Sequence, residues 1–146
     1  MATIATIRDG LQTRLATLTN PAVVAYDVAT GRERMELGQA VAIVFPRPGG
    51  KRITSGAAGG GEYELAFVIE LHVGMARGLG PAQDKLDALI DPAATTGVEY
   101  AIESAKTLGG IVDWTAVGMF ERYGFSKLND MDTLSALIPV EVGGIL

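Results

Sequence analysis

The sequence predicts an α+β fold: a mostly antiparallel sheet of about four or five strands, with an N-terminal helix and a helix pair packed on it. Three observations predict it. Apolar residues recur at steps of three and four near the N-terminus and again between Ala82 and Ala105, the spacing of a helix with one buried stripe. Two long segments, Glu62 to Val73 and Leu134 to Val142, alternate with the period of two of a strand. With 146 residues, 48% hydrophobic and 20% charged, the chain lies outside the disordered regime, and one domain spanning 1–146 would bury about 68–70% of its unfolded surface.

The elements follow in order. Ile4, Ile7, Leu11, Leu15 and Leu18 form the stripe of a first helix running from Ala2 or Thr3 to Leu18, stopped by Thr19, Asn20 and Pro21. Val23 to Val28 is a short β-branched strand closed by Thr30-Gly31, and the charged linker Arg32 to Glu36 follows. Ala40 to Phe45 is apolar throughout, as in a strand covered on both faces, and Pro46 and Pro48 end it.

Residues 47–61 contain Pro48, glycines 49, 50, 56, 59, 60 and 61, and the basic trio Arg47, Lys51 and Arg52. This composition predicts a flexible glycine-rich hairpin loop, or an extension that orders against a partner. In the long strand after it, Tyr63, Leu65, Phe67, Ile69, Leu71 and Val73 face the core, and Glu62, Glu64, Glu70 and His72 share the other face.

Pro81 opens a second helix to Ile90 with Ala82, Leu86, Leu89 and Ile90 inward. Asp91-Pro92 breaks it. Thr96 and Glu99 fit a capping box for a third helix with Val98, Ala101, Ile102 and Ala105 inward, ended by Gly109 and Gly110. Ile111 to Tyr123 is apolar on both alternating sets, which predicts a central strand. Leu134 to Val142 pairs with it as a hairpin across the loop 126–132, and Pro139 argues for an edge position or a bulge.

Composition excludes several chemistries. There is no cysteine, so disulfides, thiolate metal sites and cysteine nucleophiles are ruled out together. A formal charge of −5 disfavours a general grip on nucleic acid. No apolar run approaches the roughly 18 residues of a membrane span, and Met1 does not lead into a signal-peptide pattern, so the expectation is a soluble, unexported protein without membrane partners.

Specific motifs fail on spacing. Around Gly50-Lys51, a phosphate-binding loop would need Ser or Thr where Arg52 stands and glycine where Phe45 stands. The glycines from Gly56 to Gly61 lack dinucleotide spacing and precede a strand. His72 and Glu70 could form an acid-base or metal-binding pair. Their backbones lie about 6–7 Å apart along a strand, though, and no second histidine or cysteine completes a metal set, so a structural or interface histidine is the stronger reading. Asp84, Asp87 and Asp91, and the pair Glu99 and Glu103, read as solvated helix faces. Trp114 and Tyr123, with apolar neighbours, read as core or interface anchors. Ser55, Ser104, Ser126 and Ser135 lack a nucleophile elbow. The chain is expected to be no enzyme and to hold no cofactor or metal.

The order of parts nevertheless resembles a known family. It comprises the N-terminal helix, the strand Val23-Val24-Ala25-Tyr26-Asp27, the long strand ending near His72, the helix Ala82-Gln83-Asp84-Lys85-Leu86-Asp87-Ala88-Leu89-Ile90-Asp91-Pro92, the turn Leu108-Gly109-Gly110-Ile111-Val112-Asp113, and the closing strand Val140-Glu141-Val142. This arrangement, over most of the chain, resembles the tail terminator proteins of long-tailed double-stranded DNA phages.

The resemblance implies a ring-forming subunit, a hexamer seated on the last ring of tail-tube protein. There it would stop tube growth and offer a surface to a head-completion or stopper protein. It implies a virion location at the tail end or neck, assembly in the host bacterial cytoplasm, and DNA passing transiently through the lumen. The glycine-rich loop departs from the family pattern and does not map residue by residue onto a family element. Its residues Arg47, Lys51, Arg52 and Ile53 are candidate assembly contacts, and Glu62, Glu64, Glu70 and His72 are a candidate lumen or interface face. Another neck or head-closure protein, and a small ligand-binding module or enzyme using the His72/Glu70 face, are the alternatives.

Overall fold

The computed structural model describes residues 3–19, 22–26, 40–48, 51–54, 61–75, 78–128 and 130–145. It is α+β, as expected. Three helices, α1 (Ile4–Leu15), α2 (Leu79–Ile90) and α3 (Val98–Glu103), accompany the strands β1 (Val23–Tyr26), β2 (Ala40–Pro46), β3 (Lys51–Thr54), β4 (Gly61–Gly74), β5 (Trp114–Val117), β6 (Glu121–Leu128) and β7 (Met131–Ile145). All seven strands belong to one sheet, more than the four or five expected. The path is β1-β2-β4-β7-β5, with β3 beside β4 and β6 beside β7. Every pairing is antiparallel except β1 with β2.

The period-two pattern of β4 places Tyr63, Phe67, Ile69, Leu71 and Val73 under the helices, opposite a matching set on β7 from Leu134 to Val142. Ile7, Leu11 and Leu15 of α1, Ala82, Leu86 and Leu89 of α2, and Val98, Ala101 and Ile102 of α3 close over them in one core. Each fully buried Leu or Ile contributes about 1.5–3 kcal/mol by leaving water. Arg14 ties α1 to α3, with Nε donating to the Ala101 carbonyl at 2.8 Å and Nη2 donating to Ser104 Oγ at 3.1 Å.

The far face of the sheet carries a smaller cluster. Val41 and Ile43 of β2 pack with Phe45, Leu128 and Met131. Since β4 and β7 separate β2 from β6, this contact requires the sheet to curl around that face.

Several expectations change. Helix α1 ends at Leu15, three residues early, but Leu18 stays buried. Its start is fixed by a capping box between Thr3 and Thr6. The box expected at Thr96 and Glu99 does not form: Gly97 is the N-cap of α3 and no side chain caps it. A Cβ at Gly97 would lie 2.7 Å from the Asp91 carbonyl oxygen, so the tight joint after α2 requires glycine there and displaces Thr96 from the cap.

Residues 47–61 are not simply a loop, since Lys51–Thr54 forms β3. Residues 49–50 and 55–60 lie outside the described residues, as does the expected linker Arg32 to Glu36.

The expected central strand Ile111 to Tyr123 is two strands, β5 and β6, both on the outer side of β7. The strand expected over Leu134 to Val142, with an edge position or a bulge at Pro139, is β7, 15 residues long and paired on both sides. Pro139 explains both differences. Its carbonyl accepts the Gly118 N–H at 2.8 Å, but it has no N–H to return, so the outer ladder stops there. The chain leaves β7 at 118–120 and rejoins it as β6. Proline is tolerated inside the sheet because its missing donor faces this gap.

Candidate assembly surfaces and the Glu70–His72 pair

The basic residues proposed as assembly contacts lie along the outer side of β4. Arg47 continues β2, its N–H donating to the Ala66 carbonyl at 2.9 Å. Its guanidinium lies 3.9 Å from Glu121 Oε1 with both side chains about half exposed, a contact worth little in water. Register places Lys51 across from Glu64, Arg52 across from Tyr63 and Ile53 across from Glu62. Lys51 and Glu64 thus hold directly opposed backbone positions on neighbouring strands.

Glu62, Glu64, Glu70 and His72 share a strand face as expected, yet they occupy two environments. Glu62 is exposed and Glu64 half-buried, near the β3 end. Glu70 and His72 lie further along, inside the curl, where His72 is 1% exposed. His72 is therefore no lumen or interface residue of this subunit surface. Its Nε2 pairs with a Glu70 carboxylate oxygen, and its Nδ1 is 2.9 Å from Thr133 Oγ1, itself fully buried. Two residues apart on one strand face, the side chains span the gap that their backbones leave.

With Thr133 donating to Nδ1 and Nε2–H donating to Glu70, a neutral imidazole has both nitrogens satisfied. Thr133 is fully buried, so its hydroxyl is not an accessible nucleophile. Glu70 lines a cleft of about 330 Å³ beside β6, whose lining does not include His72. Among the described residues, no three His, Asp or Glu side chains gather as a metal site, and no helix is long and apolar enough to cross a membrane.

Two features escaped the sequence reading. Between Glu121 and Gly124 the β6 register shifts: Arg122 and Tyr123 together oppose Ala136, a bulge in which Arg122 takes φ 52°. The bulge sends Tyr123 to the helix side, where its hydroxyl donates to Asp87 Oδ1 at 2.7 Å. Burial, then that bond and the Asp87 charge, pushes the phenol up to about 12. Asp87 is thus a hydrogen-bond acceptor and not merely solvated.

The second feature is apolar exposure along β5–β6, where Met119 and Phe125 are 72% exposed and Phe120 is 40% exposed. The run Val117 to Phe120 looked like core because apolar residues on both alternating sets signal two-sided burial only in a strand that is paired throughout.

No family model matches the chain. Comparison with curated protein sequences gives no match either. The functional reading therefore rests on the residues and on the arrangement of the fold.

Proposed function

We propose that the protein is a structural virion subunit, a tail terminator that assembles as a ring, a hexamer by resemblance, on the end of the phage tail tube. It would stop tube growth and join the tail to a head-completion or stopper protein, with DNA passing only transiently through the ring. The reading assigns no catalysis and no cofactor, places the protein at the tail end or neck of the virion, and has it assemble in the host bacterial cytoplasm.

One observation carries it beyond the order of elements. Among the described residues, no strand pairs with the outer side of β5 or β6, and that edge exposes Met119, Phe120 and Phe125. An open edge bordered by large apolar side chains is a contact surface in assembly proteins and a liability in a monomer. Arg47, Lys51, Arg52 and Ile53 are the proposed assembly contacts. Glu62, exposed, and Glu64, half-buried, are the carboxylates of the proposed lumen face.

Native mass spectrometry, alone and with tail-tube protein, tests the proposal. A ring or a tube-end complex is expected, lost in Phe125→Asp. A monomer at all concentrations that ignores the tube would overturn it. Electron microscopy of tails made without the protein separates the terminator from a head-closure role: overlong tubes are expected for the terminator, and normal tubes lacking heads would favour head closure.

A further inference from the structure

We propose that the cleft between the β6 bulge and β4 binds a small zwitterion of the free amino-acid type. At about 330 Å³ the cleft sits at the small end of ligand sites, which run from about 300 to 1,000 Å³, so its occupant is compact. Glu70 and Arg122 both line it, together with Ser126, Ser135 and Leu137.

Both charged residues stand in defined local structure. Glu70 is held by buried His72, which is in turn held by buried Thr133, so the carboxylate presented to the cleft cannot swing freely. It remains 31% exposed, leaving room for a second hydrogen bond. Arg122 stands in the bulge at φ 52°, a conformation that favours glycine, and is among the residues lining the cleft. Among the described residues it has no ion-pair partner. A strained arginine with no ion-pair partner among the described residues and a braced carboxylate, both lining one cleft, are the arrangement expected of a binding site.

The chemistry of the ligand follows from the walls. One negative and one positive charge cancel, so the cleft disfavours a net anion or cation and favours a neutral molecule with separated charges. An ammonium would meet Glu70 and a carboxylate would meet Arg122, each through charge-assisted hydrogen bonds. The inference stands apart from the ring reading.

The test titrates the isotope-labelled full chain with glycine, with L-serine and with N-acetylglycine amide, which lacks both charges, and follows the backbone amide signals. Saturable shifts confined to Gly124, Ser126 and Ser135 are expected for the two zwitterions and not for the amide. Glu70→Gln, which keeps an acceptor for His72, should weaken binding about tenfold or more. Arg122→Gly relieves the backbone strain, so it should fold with an unchanged or raised Tm and still lose binding. No saturable shift, an equal response to the uncharged amide, or normal binding by Arg122→Gly would each overturn the proposal.

Discussion

Trp114 lies flat against Gly143, its cross-strand partner, so closely that a Cβ at 143 would fall 2.3 Å from the indole ring. The next residue repeats the arrangement on the other face, where a Cβ at Gly144 would lie 2.9 Å from the Tyr63 ring. Asp113 completes the clamp by accepting the Ile145 N–H at 2.9 Å. The end of β7 is thus gripped between two aromatic rings, one from each neighbouring strand.

Gly143→Ala should therefore destabilise the fold by about 1–3 kcal/mol through overpacking. Trp114 is the only tryptophan, so its emission reports the same event directly. Urea unfolding followed by fluorescence should show a lower midpoint and a red-shifted native spectrum. A wild-type midpoint and spectrum would mean that the ring does not rest there.

Gly118 and Pro139 should behave as a coupled pair. A Cβ at Gly118 would lie 2.9 Å from Pro139 Cγ, so Gly118→Ala should cost about 1–3 kcal/mol. Pro139→Ala alone should be mild, because its new N–H faces the gap between β5 and β6. Combined, the two substitutions should recover about 1 kcal/mol relative to their sum, measured by a double-mutant cycle in denaturant. Strict additivity would count against the contact.

The first helix, the alternating strand β4 and the inward stripes of α2 and α3 were legible in the sequence because burial on one face leaves a periodic record. The position of a strand within the sheet leaves none. Pro139 argues for an edge or a bulge, and the interruption falls on the neighbouring strands opposite it. β3 was hidden by glycines on both sides of Lys51–Thr54, a segment whose partner is specified by β4 and not by its own composition. The Glu70–His72 pair was weighed from strand spacing, but its burial depends on the curl of the sheet, and Thr133 comes from a strand 61 residues away. Nothing in the alternation of β6 announces the bulge at Arg122.

Removing His72 should expose its structural role. His72→Leu leaves the buried Thr133 hydroxyl without its partner and should cost about 1–3 kcal/mol. Adding Thr133→Val should cost less than a second independent loss, because the orphaned hydroxyl goes with it. Thermal unfolding of the single and double variants decides this, and a double variant much worse than the sum would contradict it.

Stability should fall at high pH through Tyr123. Below about pH 10 both folded and unfolded chains keep the phenol proton, and the contribution is complete. As the pH climbs from there to about 12, the unfolded chain gives up its proton first and the stabilisation is lost. Burial and the Asp113 charge raise the Tyr63 phenol too, adding in the same direction. Tyr123→Phe should flatten the decline, and ultraviolet titration at the tyrosinate band should lose its late-ionising component. An unchanged pH profile in that variant would place the loss elsewhere.

The central position of β7 also has a consequence for synthesis. β4, β5 and β6 all leave the ribosome before the strand that pairs with them, so each waits with an unsatisfied edge while β7 is still being made. The longest ladder joins residues as far apart as Glu62 and Ile145, and long-range pairing of this kind is slow and prone to aggregation. In the cell, yield should therefore depend on translation speed and chaperone supply more than the finished fold's stability would lead one to expect.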